Sequence, residues 1–268
     1  MKPFLLAGGR TLLLLAWLLC SLAGCDRYAP RDDIDDARAA IAARDWLEAE
    51  KLLERYLRLA PQGSQRWEAW NELYAITNRV RSDDRASADM LEAMLLEFGT
   101  DPARARDILS RLGDAFEASY RYDRAAATWR TLLSVPALPA DEMARVYRRL
   151  ARIQVKLRRY DMAQDLLQTC VELEIAEARR AECVYDMADA NLALEHLDKA
   201  AQLARQVVDM DGTEESTRAM AGFLLGDVLE QKGKFGEALQ AFEAIKNIYP
   251  NELVIQNRIS YLKKKTAR

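Results

Sequence analysis

The sequence predicts an all-α fold, and three observations carry that expectation. The chain of 268 residues holds only 11 Gly and 7 Pro, too few for a loop-rich or collagen-like protein. Ala, Leu, Arg, Glu and Asp dominate, and these are mostly strong helix formers. β-Branched residues are sparse and never alternate over a strand-length stretch. The length suffices for one large or two ordinary domains with a real core. With 39 Lys plus Arg against 42 Asp plus Glu, the surface lacks the basic excess that phosphate backbones require, so a nucleic-acid partner is not expected. One His and four Cys leave little material for metal or acid/base chemistry. The expectation is therefore a protein that is not an enzyme, with no cofactor, no metal and no small-molecule substrate.

The N-terminus comes first. Lys2 and Arg10 precede an apolar run from Thr11 to Leu19, which is well short of the ~20 residues of a membrane-spanning helix and suits a secretory leader. The stretch Leu22-Ala23-Gly24-Cys25 resembles the lipobox of bacterial lipoproteins. That resemblance implies a signal peptide over residues 1–24, acylation (palmitate) at Cys25, and a lipidated tether over 25–31, a charged segment containing Pro30. Loss of Lys2 and Arg10 would leave 37 basic residues facing 42 acidic ones. The body would then hang from a bacterial membrane and face the periplasm or the cell exterior. Asp26 is similar to an inner-membrane retention signal of some lipoproteins, but the rule varies between bacteria, so inner and outer membrane both stay open.

A repeated pattern fills the rest. Its clearest copy runs Leu225-Gly226, Leu229, Gly233, Phe235, Ala238-Leu239, Phe242, Ile245, Ile248 and Pro250. Leu112-Gly113, Phe116, Tyr122, Ala125 and Trp129 form a second copy; Tyr147, Leu150-Ala151, Tyr160, Ala163 and Leu167 form a third. Weaker copies involve Ala37 to Pro61, Trp70 to Met90 with Ala86, and Met187 to Ala204. The small residues Ala49, Ala86, Ala125, Ala163, Ala200 and Ala238 stand 37, 39, 38, 37 and 38 apart. This pattern resembles the tetratricopeptide repeat, in which small residues let antiparallel helices approach while large ones fill the gap. The resemblance implies a right-handed α-solenoid of about six degenerate helix-turn-helix repeats over residues 32–250. Each copy exceeds the 34-residue unit, and the excess is expected in the second helix or the inter-repeat turn. Residues 251–268 read as a capping helix with a basic tail: Val254, Ile255, Ile259 and Leu262 share a face, and Lys263, Lys264 and Lys265 suit the helix's negative pole.

In such solenoids the first helix of each repeat lines a concave groove, so the resemblance places Arg145, Arg148, Arg152, Val155 and Lys156 on one wall. Acidic faces flank it, with Asp114 on one side and Asp189 on the other. The cations read either as a solvated wall paired with these acids or as a site for an acidic or C-terminal peptide. A chaperone-type carboxylate clamp is not supported, because Ala75 and Arg111 follow Asn71 at the required places. Tyr185, Leu192, Met220 and Phe223 put apolar groups in the C-terminal half, beside Asp227; either a partner docks there or the capping helix folds over them. Asp227 and Glu230 read as solvated charges, and His196 as a surface residue in a turn. Trp46, Trp70 and Trp129 occupy core positions, while Trp67 is a candidate exposed anchor. Cys170 and Cys183 bracket a turn, and are either a disulfide or two buried thiols.

The resemblance implies a lipid-anchored scaffold or adaptor that binds another cell-envelope protein through its groove. The architecture is also similar to the pilotins of type IV pilus secretins, and more distantly to repeat lipoproteins of outer-membrane protein insertion. The alternative is therefore an assembly factor for a secretin or barrel protein. Partner identity and oligomeric state are not legible at this level.

Overall fold

The computed structural model describes residues 30–267, so the leader, the lipobox and Cys25 lie outside the described residues. Those residues form 13 α-helices and no strand. They divide into two compact units, one ending at Asp83 and the other beginning at Asp84. Among the described residues no helix is long and apolar enough to cross a membrane.

The first unit holds α1 (Pro30–Ala42), α2 (Trp46–Leu59) and α3 (Arg66–Ala75), with a π-helical turn at Ile76–Val80. Asp45 caps α2, its side chain accepting from the Glu48 amide, a standard way to satisfy a free helix-end donor. Ile34, Ala37, Ala49, Leu53 and Leu73 are buried, and Arg55 clamps α2 to α1 through Asp33. Trp67 is half-buried, so the expectation of an exposed anchor is corrected: as α3 turns, most of the indole is carried inward.

The second unit runs α4 (Asp84–Phe98), α5 (Pro102–Ala118), α6 (Tyr122–Leu133), α7 (Ala140–Lys156), α8 (Tyr160–Glu172), α9 (Glu177–Ala193), α10 (Leu197–Asp209), α11 (Glu215–Gln231), α12 (Phe235–Ala244) and α13 (Glu252–Thr266). Consecutive helices pack as antiparallel pairs. In four pairs the first helix has 17 residues while the second has 10 to 13. The first helix is thus the longer of each pair, whereas the extra length was expected in the second helix or the inter-repeat turn. Small residues admit large partners across each pair. A Cβ on Gly113 would come within 2.5 Å of the Trp129 ring, and one on Gly226 within 2.6 Å of Phe242.

Each repeat turns on one residue in the left-handed region: Arg44, Ser82, Tyr120, Arg158, Glu195 and Gly233, which recur 38, 38, 38, 37 and 38 apart. Five residues past each turn lies the small residue of the second helix. In the second repeat this is Ser87, fully buried, whereas Ala86 is only half-buried. The sequence register there was one residue short. Ile255, Ile259 and Leu262 of α13 close the core at the C-terminal end, and Lys263 pairs with Glu243.

Candidate functional site

The first helices of the second unit stand side by side, α7 against α9 and α9 against α11, and their outward faces carry the charged residues singled out above. Ion pairs link neighbours across this face. From α7, Arg149 reaches back to Asp114 at 2.9 Å and Glu117 at 3.4 Å on α5, and it lies over the Trp129 ring. Arg148 points forward to Glu182 and to Asp186 at 2.6 Å on α9. Arg152 adds a 2.9 Å contact to the same Asp186. At the C-terminal end Arg258 of α13 holds Asp227 at 2.9 Å and Glu230 at 3.1 Å. Among the described residues no ion pair joins α9 to α11, and the apolar side chains of this face gather between α7 and α9, beside Met220 of α11.

Two recesses open along this face. The first, about 230 Å³, is lined by Ser110, Asp114, Arg145, Arg148, Arg149 and Arg179, with Arg152 at its edge. The second, about 430 Å³, has Val155, Leu167, Tyr185 and Met220 as its apolar part, with Arg152, Lys156 and Asp189 around them. Arg152 lines both, so the two are neighbours.

The surrounding helices displace water from this face even where side-chain edges stay open. Burial accordingly pushes the Asp114, Asp189 and Asp227 carboxyls above the usual carboxylate range; Arg149 and Arg145 oppose the effect at Asp114, Asp186 adds to it at Asp189, and Arg258 opposes it at Asp227. The Tyr185 phenol is pushed up to about 12 by burial, with Asp189 and Asp186 adding to it. Arg152 stays a firm cation: burial works against its charge, but Asp186 outweighs burial.

The groove residues expected from the sequence occupy different situations. Arg148 is only 15% exposed and pairs with Glu182 and Asp186 of α9, as the paired-wall reading of these cations has it, while still lining the smaller recess. Arg145 is open at 59%, its nearest carboxylate being Glu142 at 3.9 Å on its own helix. Arg152, Lys156, Tyr185 and Asp189 meet at the apolar recess, and Lys156 also sits 4.9 Å over the Tyr122 ring. Phe223 is stacked under Tyr249 with centroids 4.7 Å apart and meets Phe242 edge-on. Asp227 and Glu230 are engaged by Arg258, so they are not solvated free charges. Met220 remains open at 39%.

The sequence reading missed Asp186, Arg149, Tyr249 and Arg258. A signal for the first two was present. In a repeat of about 38 residues, side chains separated by 34 to 38 fall on adjacent first helices, and Arg148–Glu182, Arg152–Asp186 and Arg148–Asp186 all lie in that range. Cys170 and Cys183 are joined in a disulfide, with Cα atoms 5.9 Å apart, tying α8 to α9. Among the described residues no group of three His, Cys, Asp or Glu side chains is placed to hold a metal ion.

Comparison with known proteins agrees with the helix pairs. Residues 144–174 and 185–252 match tetratricopeptide repeat families. No curated protein matches the chain. Among solved structures, BtubC from P. vanneervenii is similar with a TM-score of 0.57 at 18% identity, covering 82% of this chain and 87% of that one. A tetratricopeptide repeat protein from Parabacteroides merdae gives 0.51 at 13% identity, over 87% and 98% of the two chains. MamA from Desulfovibrio magneticus gives 0.52 at 18%, over 68% and 93%. At these identities the likeness concerns the fold: an all-helical tetratricopeptide solenoid.

Proposed function

We propose that this chain is a lipid-anchored scaffold of the bacterial cell envelope, which captures a partner protein on the face formed by α7, α9 and α11. Tetratricopeptide repeats bind protein partners, and one observation carries the reading for this chain. Between α7 and α9 the ion-paired face opens into a recess floored by Val155, Leu167 and Tyr185, and the half-open Met220 of α11 stands beside it. A wall of mutually paired charges alone would have no such apolar floor. Apolar anchors in a partly desolvated recess supply affinity, while the flanking charges supply specificity. The lipobox-like Leu22-Ala23-Gly24-Cys25 supports the anchor, and with it a position outside the cytoplasm.

The test is in-cell crosslinking from a photoreactive residue at position 220 of the full-length tagged chain, with membrane fractionation of the same cells. A discrete crosslinked envelope protein, lost when Tyr185→Ala is added, supports the reading. Crosslinks no different from those at the exposed Leu96 would sink it. A Cys25→Ser chain should leave the membrane fraction; unchanged fractionation would remove the lipid anchor from the proposal.

A further inference from the structure

The recess next to the apolar one is built from cations whose hydrogen-bonding capacity the chain itself does not use up. Each guanidinium carries five N–H donors in a fixed fork. Five guanidiniums line this recess against the carboxylates of Asp114 and Glu142 alone. Arg148, Arg149 and Arg152 spend part of their donors on Glu117, Glu182, Asp186 and Asp114. Arg145 spends almost none, having one distant contact along its own helix and an open side chain. Arg179 pairs with Glu182 at 2.5 Å, yet its Nε is buried with no hydrogen-bond partner. An unpaired buried donor of this kind carries a desolvation penalty that an arriving acceptor relieves.

We infer that this arginine recess takes a carboxylate of the bound partner, so that the captured segment places an acidic side chain beside the apolar one seated between α7 and α9. The inference rests on the reading of this face as a protein-binding groove. Arg152, shared by both recesses, fixes the two side chains as near neighbours on the segment. Bidentate guanidinium–carboxylate contact fits the available forks. A carboxylate fits better than a phosphate group, because Asp114 already lines the recess and a dianion would meet it at greater repulsion.

Fluorescence anisotropy with the full chain in detergent micelles tests this, using four labelled hexapeptides: Gly-Glu-Glu-Leu-Leu-Gly and its counterparts with Gln-Gln, Lys-Lys or phosphoserine pairs in place of Glu-Glu. The Glu peptide is expected to bind at least tenfold more tightly than the Gln peptide at low salt, with the advantage shrinking as salt rises. Arg145→Gln, on an exposed side chain that does not endanger folding, should cut the advantage at least threefold, and Arg145→Gln with Arg179→Gln should abolish it while leaving the Gln peptide's affinity unchanged. Equal binding of Glu and Gln peptides overturns the carboxylate inference and leaves the groove reading standing. Preference for the phosphoserine or Lys peptide also overturns it. If no peptide binds, the inference falls, and the groove reading is then judged by the position-220 crosslink alone.

Discussion

Trp129 lays its indole against the bare backbone of Gly113, in a gap where a Cβ would stand 2.5 Å from both Cε2 and Cζ2. The ring is almost fully buried, and its Nε1–H donates to Glu117 at 2.8 Å, so it has no room to retreat. Phe242 repeats the relationship with Gly226 in the last helix pair. Gly113→Ala should therefore destabilise the protein by about 2 kcal/mol, as overpacking of a fixed core does. For Gly226→Ala the same loss should be partly recovered by adding Phe242→Leu, a coupling readable as non-additivity in urea unfolding. Full additivity would mean that the ring moves freely.

Five of the six repeat turns place a residue other than glycine in the left-handed region, where a Cβ crowds the next carbonyl. Arg158→Gly and Glu195→Gly, both at exposed positions, should each raise stability by up to about 1 kcal/mol. Gly233→Ala should lower it by about as much. A Cβ there meets nothing within 4 Å, so the loss is conformational and not steric. Thermal melts followed by circular dichroism report all three.

Asp186 is the acceptor on which Arg148 and Arg152 converge, and its side chain is only 6% exposed. Asp186→Ala leaves Arg148 half-compensated in the wall and should cost about 3 kcal/mol. Arg152→Ala should cost less than about 1 kcal/mol, because that side chain is half open and Arg148 still holds Asp186. Equal losses from the two variants would contradict the geometry.

Gln154 is fully buried in α7, and neither amide atom has a hydrogen-bond partner. The corresponding places in the third and sixth repeats hold Phe116 and Leu229, both buried. Gln154→Met removes an unsatisfied amide while nearly keeping its volume, so a gain of about 1 kcal/mol is expected in urea titrations.

Asp189 contributes to the pH dependence, as Asp114 and Asp227 do. Its carboxyl is held above the unfolded value by burial and by Asp186, so the folded state binds the proton more tightly than the unfolded chain does. The group therefore costs stability at neutral pH, and that cost is relieved as pH falls through the raised pKa. Asp189→Asn should be more stable than the parent at pH 7, and the difference should narrow on acidification. A gap that widens toward acid would reverse the assignment.

The repeat pattern made the helix pairs legible because close approach leaves a mark on residue size: Gly226, Ala238 and Phe242 announce a packed pair without coordinates. The second repeat misled because its Ala-Ser-Ala run offers three small residues in a row, and the π-helical turn at Ile76–Val80 adds a local irregularity just before them. Ser87, not Ala86, sits at the contact. The groove was legible only as a list of helix positions. Which of its charges are spent was not, since Arg148 and Arg145 stand three residues apart on one helix yet one is sealed and the other open. That difference arises from Glu182 and Asp186 across the interface. Tyr249, which stacks on Phe223, comes from the segment after α12, where helical periodicity says nothing.

The link between Cys170 and Cys183 closes a short stretch of chain, but it spans the boundary between the fourth and fifth repeats. In a stack where each repeat leans only on its neighbours, melting starts at the ends and travels inward. A crack arriving from either side meets two repeats that must come apart together, in the middle of the very face proposed to hold a partner. Heat or protease would thus consume the ends of the second unit first, and the last piece to survive would be the piece that binds.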